Sequence, residues 1–284
     1  MAEGVTLAGE DALTLMEPLT KLAVQAGAAI LAVNRSTMGL GKKIDGSVVS
    51  DADTLADTII VEGLAKLAPA IPVLSEERTH LAARPYRDSF FLIDPLDGTR
   101  EFVTGTDEFT VNIALVTHGE PTLGIVVAPA LGTVWRGIVG VGAERLLVTK
   151  DATVYGAPQS IRTRAHPGPA APWIVAVSRS HGDPRTEAFI AERPGAIRQV
   201  LGSSIKFCRV AEGGADIYPR LSHTSEWDVA AGHAVVTAAG GLVTDGRGQP
   251  LRFGEDHDGF LVSDFIAWGD PQAARRDSAK APNQ

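Results

Sequence analysis

Cysteine is nearly absent: Cys208 stands alone among 284 residues. An intrachain disulfide and a cysteine-built zinc site are thereby excluded, and a reducing cytosol fits. The thiol itself reads as a small buried hydrophobe rather than a nucleophile. Net positive charge is lacking too. With 26 Lys and Arg against 34 Asp and Glu, the formal charge is -8, so a nucleic-acid polymer, which is held by a basic surface, is not the expected partner. An anionic small molecule would need local cations. No run approaches the ~20 apolar residues of a membrane span, so no transmembrane segment is expected. Nor does a basic start followed by an apolar stretch and a small-residue cleavage site suggest a leader. Internal repeats are missing.

What is present is enough apolar material, 44% of the chain, for one large core or two smaller ones, which suits a two-lobed α/β enzyme. Leu13, Met16, Leu19, Leu22, Ala23, Ala26 and Ile30 recur at helical spacing, predicting an amphipathic helix that ends near Asn34. Gly39, Gly41 and Gly46 open a loop before a second helix over 53–67, and 72–75 is a short strand ending at Glu76-Glu77. Strand 90–93 ends at Asp94. Segments 111–117, 122–127 and 133–138 read as an antiparallel meander in the same sheet. Residues 151–172 are loop-like and mark the boundary between an N-terminal metal-site lobe, 1–155, and a C-terminal substrate lobe, 156–270. That second lobe holds a strand over 173–178 and helices over 183–192, 204–212 and 228–239. The polar stretch 271–284 reads as a frayed tail.

The richest stretch is Asp94-Pro95-Leu96-Asp97-Gly98-Thr99, directly after Phe90-Phe91-Leu92-Ile93. A strand points Asp94 and Leu96 to one face, and Pro95 is expected to stop it and turn the chain beside the carboxylates. Gly98 permits a sharp turn, with Thr99 placed to cap or to face a phosphate. Two hard oxygen ligands so close together suit Mg²⁺. An Asp-Gly pair after a strand is equally an ordinary hairpin turn, so the motif alone leaves both open. Glu76, Asp97 and Asp228 also sit at element ends, where α/β proteins build sites. Asp228 and Asp53 taken singly are ordinary acids of a first helical turn.

Together these segments resemble the lithium-sensitive, Mg²⁺-dependent phosphatase superfamily of inositol monophosphatase and fructose 1,6-bisphosphatase. The matching residues are Asp53 in Val49-Ser50-Asp51-Ala52-Asp53, Glu76-Glu77, the core from Asp94 to Thr99, and Trp227-Asp228-Val229-Ala230-Ala231-Gly232. Within it, the chain is most similar to the bacterial CysQ-type 3'(2'),5'-bisphosphate nucleotidases. Arg100-Glu101-Phe102, Val177-Ser178-Arg179-Ser180-His181, the run from Gly202 to Cys208, and Tyr218-Pro219-Arg220 carry that likeness. Ser222-His223 departs from an expected Gly-Pro, and Val48 from a frequent Pro.

The resemblance implies an αβαβα layered sandwich and hydrolysis of the 3'-phosphate of adenosine 3',5'-bisphosphate, with or without its sulfate, to AMP. It implies two or three Mg²⁺ ions. Glu76, Asp94 and the Leu96 carbonyl would hold one, and Asp94, Asp97 and Asp228 a second, clamping the attacking and leaving oxygens. Asp53 and Thr99 would orient or deprotonate the attacking water, helped by Glu76, with Glu77 behind it. Gly98 and Thr99 amides would meet the reacting phosphate, while Arg100, Ser178, His181, Ser203, Ser204, Lys206 and Asp228 would meet the rest of the nucleotide. Lys206 by itself reads as a solvated helix charge, and His181 as a polar loop residue. The rivals are an inositol-phosphate or other sugar-phosphate phosphatase and a nucleotide sensor without catalysis. The expected protein is cytoplasmic or peripheral at the inner face of the membrane, a monomer or homodimer acting on a small phosphonucleotide.

Overall fold

The computed structural model describes residues 9–42, 48–81, 86, 88–168, 171–255 and 259–278. Gly46 and positions 279–284 of the expected tail lie outside them. Helix α1 (Gly9–Ala32) buries Leu15, Leu19, Ala23, Ala26 and Ile30, a stripe of three- to four-residue spacing. Strands β1 (Leu40–Lys42) and β2 (Val48–Ser50) pair antiparallel and lead into α2 (Asp51–Leu67), which packs beside α1. Strand β3 (Val73–Ser75) runs into a 3₁₀ turn, Glu76–Leu81. Then come β4 (Ser89–Asp97), the short helix α3 (Thr99–Val103), β5 (Thr110–Thr117), β6 (Glu120–Ala128), β7 (Thr133–Ile138), β8 (Gly142–Val148) and β9 (Val154–Ile161). Strands β3 to β9 make one seven-stranded sheet in chain order, parallel at β3 and β4 and antiparallel thereafter.

The remaining chain supplies β10 (Ile174–Ser178), α4 (Pro184–Ala191), β11 (Ile197–Leu201), α5 (Ile205–Ala211), β12 (Ile217–Arg220), β13 (Thr224–Ser225), α6 (Glu226–Ala238), β14 (Leu242–Thr244), β15 (Leu261–Val262), β16 (Phe265–Trp268) and α7 (Pro271–Ser278). Five of these strands form the second sheet, ordered β11-β10-β12-β16-β14.

Strand alternation decides the layering. On β4, Phe91 and Ile93 face α1 and α2, whereas Phe90 and Leu92 face the opposite way, onto Phe207 of α5 and Val229 and Val235 of α6. Those two helices are sandwiched, since Tyr218, Phe265 and Ala267 of the second sheet close over them. The outer side of that sheet carries Val175, Ile217 and Trp268 against Ile190 of α4 and Ala273 and Ala274 of α7. The result is an αβαβα sandwich. Helix α6 approaches β6 so closely that a Cβ on Gly124 would lie 2.2 Å from the Ala231 carbonyl oxygen.

Three local expectations change. Strand β4 does not stop at Asp94: it continues to Asp97, with Asp94 opposite Asn112 and Asp97 opposite Thr110. Three steps on β4 thus match two on β5, a β-bulge whose extra residue leaves the ladder where Pro95 has no N–H to give. The expected boundary at 155/156 falls inside β9, and the first sheet extends to Ile161. Gly156 and Pro158 made that stretch look loop-like, but an edge strand tolerates both. Finally, residues 271–278 of the expected tail are α7. Two buried alanines and an ion pair of 2.7 Å between Arg193 and Asp277 hold it, a packing signal too small to register in composition.

Candidate functional site

Between the two sheets lies a cavity of about 590 Å³ lined from both sides. Glu76, Asp94, Leu96, Asp97, Gly98, Thr99 and Arg100 enter from the first sheet, and Ser178, His181, Ser203, Ser204, Lys206 and Asp228 from the second half of the chain. Every residue given a site role by sequence except Asp53 and Glu77 lines this one space; Glu77 follows Glu76 in the 3₁₀ turn, and Asp53 stands directly behind Thr99.

The bulge explains how β4 serves it. In a regular strand, residues three apart face opposite ways, so Asp94 and Asp97 would be split between the two faces. The extra residue turns both into the cavity. It also sends the Leu96 side chain into the helix-side core with Phe91 and Ile93, so Asp94 and Leu96 do not share a face as expected. Asp94 Oδ1 accepts the Leu96 N–H at 3.0 Å, which fixes its rotamer. Gly98 then takes a left-handed φ of 90°, open to glycine at no steric cost, and starts α3.

Asp53 is the third residue of α2 and completes a capping box. Its Oδ2 accepts the Ser50 N–H at 2.8 Å and the Ser50 hydroxyl at 2.6 Å. Oδ1 is left clear of the cap, and Thr99 Oγ1 donates to it at 2.7 Å. Asp228 occupies the same position on α6, capped with Ser225 and accepting the Thr224 hydroxyl. One geometry thus lets each acid cap its helix while Asp228 lines the cavity and Asp53 backs Thr99.

Carboxylate oxygens of Glu76, Asp94 and Asp228 come within 4.8 Å of one another, the metal-ligand group found among the described residues. Asp97 is outside that triad but faces the same space, and Thr110 Oγ1 and Asn112 Nδ2 approach its Oδ2 at 3.4 and 3.5 Å. Burial, and then the neighbouring Asp97, raise the Asp228 carboxyl above its ordinary range. A buried acid raised by an acidic neighbour calls for a cation, and an all-oxygen donor set fits a hard divalent ion.

The opposite wall is cationic. Lys206 is not the solvated charge its helix suggested: it is 3% exposed. Its ammonium donates to the Ser203 carbonyl at 2.5 Å and the Leu201 carbonyl at 3.4 Å, and burial lowers its pKa to about 8 although Asp97 opposes this. His181 is exposed at the cavity rim and is lowered by burial of its ring and by Arg220. Ser178 Oγ accepts the His181 N–H at 3.1 Å. Arg100 is exposed at the mouth. Ser203 holds a left-handed φ of 50°, and the Ser204 hydroxyl donates to the Asp228 carbonyl at 3.1 Å.

Three residues were given no role by the sequence. Arg220 lines the cavity with its Nε buried and unpartnered, and its place at a strand end beside Tyr218 was the available signal. Ser50 was legible in the Ser-x-x-Asp spacing of a capping box. Asp57, which accepts Ser75 Oγ at 2.6 Å and Arg78 Nε at 2.7 Å and so brackets Glu76, left no sequence signal because its partners are 18 and 21 residues away.

The sequence model of the inositol monophosphatase family matches residues 15–276. The 3'(2'),5'-bisphosphate nucleotidase CysQ of Escherichia coli strain K12 is 40% identical over 242 residues, covering 84% of this chain and 94% of that protein. Among solved structures, CysQ from Bacteroides thetaiotaomicron superposes with a TM-score of 0.70 at 33% identity, over 90% of this chain and 97% of that one. Thermotoga maritima IMPase gives a TM-score of 0.68 at 25% identity, over 95% and 97%.

Proposed function

The chain belongs to the inositol monophosphatase family, a metal-dependent phosphatase family, and we propose that this phosphatase removes the 3'-phosphate of adenosine 3',5'-bisphosphate to leave AMP. One observation carries the choice of substrate. A single cavity holds an acidic, metal-fitting end at Glu76, Asp94, Asp97 and Asp228 and a cationic end at Lys206 and Arg220. A monophosphate needs only the first. The second suits a substrate with another anionic group, which the net charge of -8 would otherwise repel.

Glu76, Asp94 and the Leu96 carbonyl are suited to one Mg²⁺, and Asp94, Asp97 and Asp228 to a second. When bound, Mg²⁺ lowers the pKa of a coordinated water and offsets charge on the phosphoryl oxygens. The chain's own part in the proton transfer is Thr99. Its hydroxyl hydrogen points at Asp53 Oδ1, so its lone pairs are free to accept a proton from a water in the cavity while Asp53 takes the hydroxyl's own. The water oxygen bonds to phosphorus and the bond from phosphorus to the ribose oxygen breaks, that oxygen taking a proton from solvent to become the 3'-hydroxyl of AMP. Gly98 and Thr99 amides face the phosphoryl group. Lys206 uses two of its three N–H bonds on carbonyls, leaving one for the distal phosphate. Arg220 Nε, buried without a partner, faces the same need, and Arg100, Ser178, His181, Ser203 and Ser204 complete the nucleotide side.

No helix among the described residues is long and apolar enough to cross a membrane. We place the activity in the cytoplasm, with the lone buried thiol of Cys208 in support. A substrate panel with Mg²⁺ tests the assignment: phosphate release from adenosine 3',5'-bisphosphate should exceed that from inositol 1-phosphate by at least about tenfold in kcat/KM, one charged contact's worth. The reverse order would make it a sugar-phosphate phosphatase, and binding without release a sensor.

A further inference from the structure

We infer that Glu108, Thr110 and Asn112 form a positioning ladder that sets the nucleotide-side loop 202–204 against the metal end, and thereby governs selection of a bisphosphate over a simple monoester. The selection half rests on the substrate proposed above. The odd residues Phe109, Val111 and Ile113 pack into the helix-side core, so the even positions turn toward the cavity layer. Each meets the next loop residue in turn. Glu108 Oε2 accepts the Gly202 N–H at 2.7 Å, Thr110 Oγ1 lies 2.5 Å from Ser203 Oγ, and Asn112 Nδ2 donates to Ser204 Oγ at 3.0 Å.

Thr110 and Asn112 are fully buried, and further along the same face stand Ala114 and Val116 in the apolar core. Polar side chains there carry a desolvation cost that only specific partners offset. The contact at the loop is tight as well: a Cβ on Gly202 would lie 2.6 Å from the Glu108 carbonyl oxygen.

The ladder reaches both ends of the cavity. Thr110 and Asn112 also approach Asp97, as given above, and Ser204 holds the Asp228 carbonyl. On the other side the loop carbonyls of Leu201 and Ser203 hold the Lys206 ammonium. Glu108 further accepts Arg179 Nη2 at 2.7 Å and Nε at 3.1 Å, and the Arg179 backbone N–H donates to Leu201 O at 3.1 Å. The Ser178 to His181 rim is thus tied to the same carboxylate. Shifting Glu108 moves Lys206 and the rim relative to Asp97 and Asp228 without touching a carboxylate of the metal end.

The test compares wild type, Glu108→Ala, Glu108→Gln and Thr110→Val. Glu108→Ala should raise KM for adenosine 3',5'-bisphosphate about tenfold with kcat within about twofold, and leave kcat/KM for inositol 1-phosphate unchanged. Glu108→Gln, which keeps an acceptor for Gly202, should restore most of the loss, and Thr110→Val, which also gives up the 3.4 Å approach to Asp97, should raise KM for the bisphosphate about three- to fivefold. Amide hydrogen exchange at 202–206 in the substrate-free protein should quicken in Glu108→Ala. In Glu108→Ala, equal losses on both substrates, or a fall in kcat alone, would overturn the selectivity role. Unchanged exchange would overturn the ladder itself, whatever the substrate. Failure of the wild-type protein to hydrolyse the bisphosphate would instead remove the substrate assignment and the selection built on it, leaving the exchange result to judge the positioning.

Discussion

Thr99 has one hydrogen to donate, and Asp53 Oδ1 at 2.7 Å takes it in preference to the Leu96 carbonyl at 3.2 Å. Two residues joined by one proton path should fail together. Thr99→Ala and Asp53→Asn are each expected to lower kcat by roughly 10²- to 10⁴-fold, and the double variant by much less than the product of the two. Stability separates them, because Asp53 also caps α2 and its loss should cost about 1 kcal/mol in urea denaturation, whereas Thr99→Ala leaves the cap intact. Multiplicative kinetic losses would break the pairing. Lys206 carries the other residue-scale expectation. Burial brings its pKa from an ordinary 10.5 to about 8, so kcat/KM for the bisphosphate should fall as pH rises through about 8, or lower once cations bind nearby. Lys206→Met should remove that limb and lower kcat/KM about ten- to a hundredfold at neutral pH. The stability sign is opposite: the unfolded chain keeps this proton up to about 10.5 and the folded chain releases it near 8, so stability should rise with pH across that window. An alkaline limb that survives Lys206→Met would assign it to another group.

Among elements, α6 and β4 carry the site. Helix α6 brings Asp228 to the cavity because its Ala- and Gly-rich face sits almost on the backbone of β6. Gly124 has no room for a Cβ, with the Ala231 oxygen 2.2 Å and the Ala234 Cβ 2.9 Å away. Gly124→Ala must therefore push the helix outward. We expect a loss of about 1–3 kcal/mol in urea midpoint measurements, together with weaker Mg²⁺ binding, since the N-terminal turn of α6 moves with the helix. Loss of stability with metal affinity intact would show that the helix end is held by Thr224 and Ser225 independently of its packing. On β4, the bulge at Pro95 has the same standing: were residues 94–97 a regular strand, Asp97 would point into the helix-side core.

At the scale of the molecule, three carboxylates drawn within 4.8 Å of one another set a tension between folding and charge. Mg²⁺ should relieve it, raising Tm by about 3–6 °C at ten times its Kd, from about 1.4 kcal/mol of linkage in a chain of this size. Asp94→Asn should abolish both that shift and turnover while leaving the apo Tm unchanged or higher, as one repelling charge is gone. A Tm rise of wild-type size in Asp94→Asn would remove the metal assignment. The amino-acid sequence by itself determined much of this protein. Helical periodicity placed α1, β-branched runs placed the meander, and the ordered motifs around Asp53, Glu76, Asp94 and Asp228 marked acids that line or back the cavity, because periodicity and motif spacing are local properties of the chain. Tertiary structure decided what depends on partners distant in sequence. Burial turned Lys206 from a surface charge into a cavity wall, two alanines against Trp268 made a helix of the supposed tail, β8 recruited the Gly- and Pro-bearing β9, and a bulge against β5 aimed Asp94 and Asp97 the same way. None of these has a local signature, since each arises from desolvation or strand register imposed by residues elsewhere in the chain.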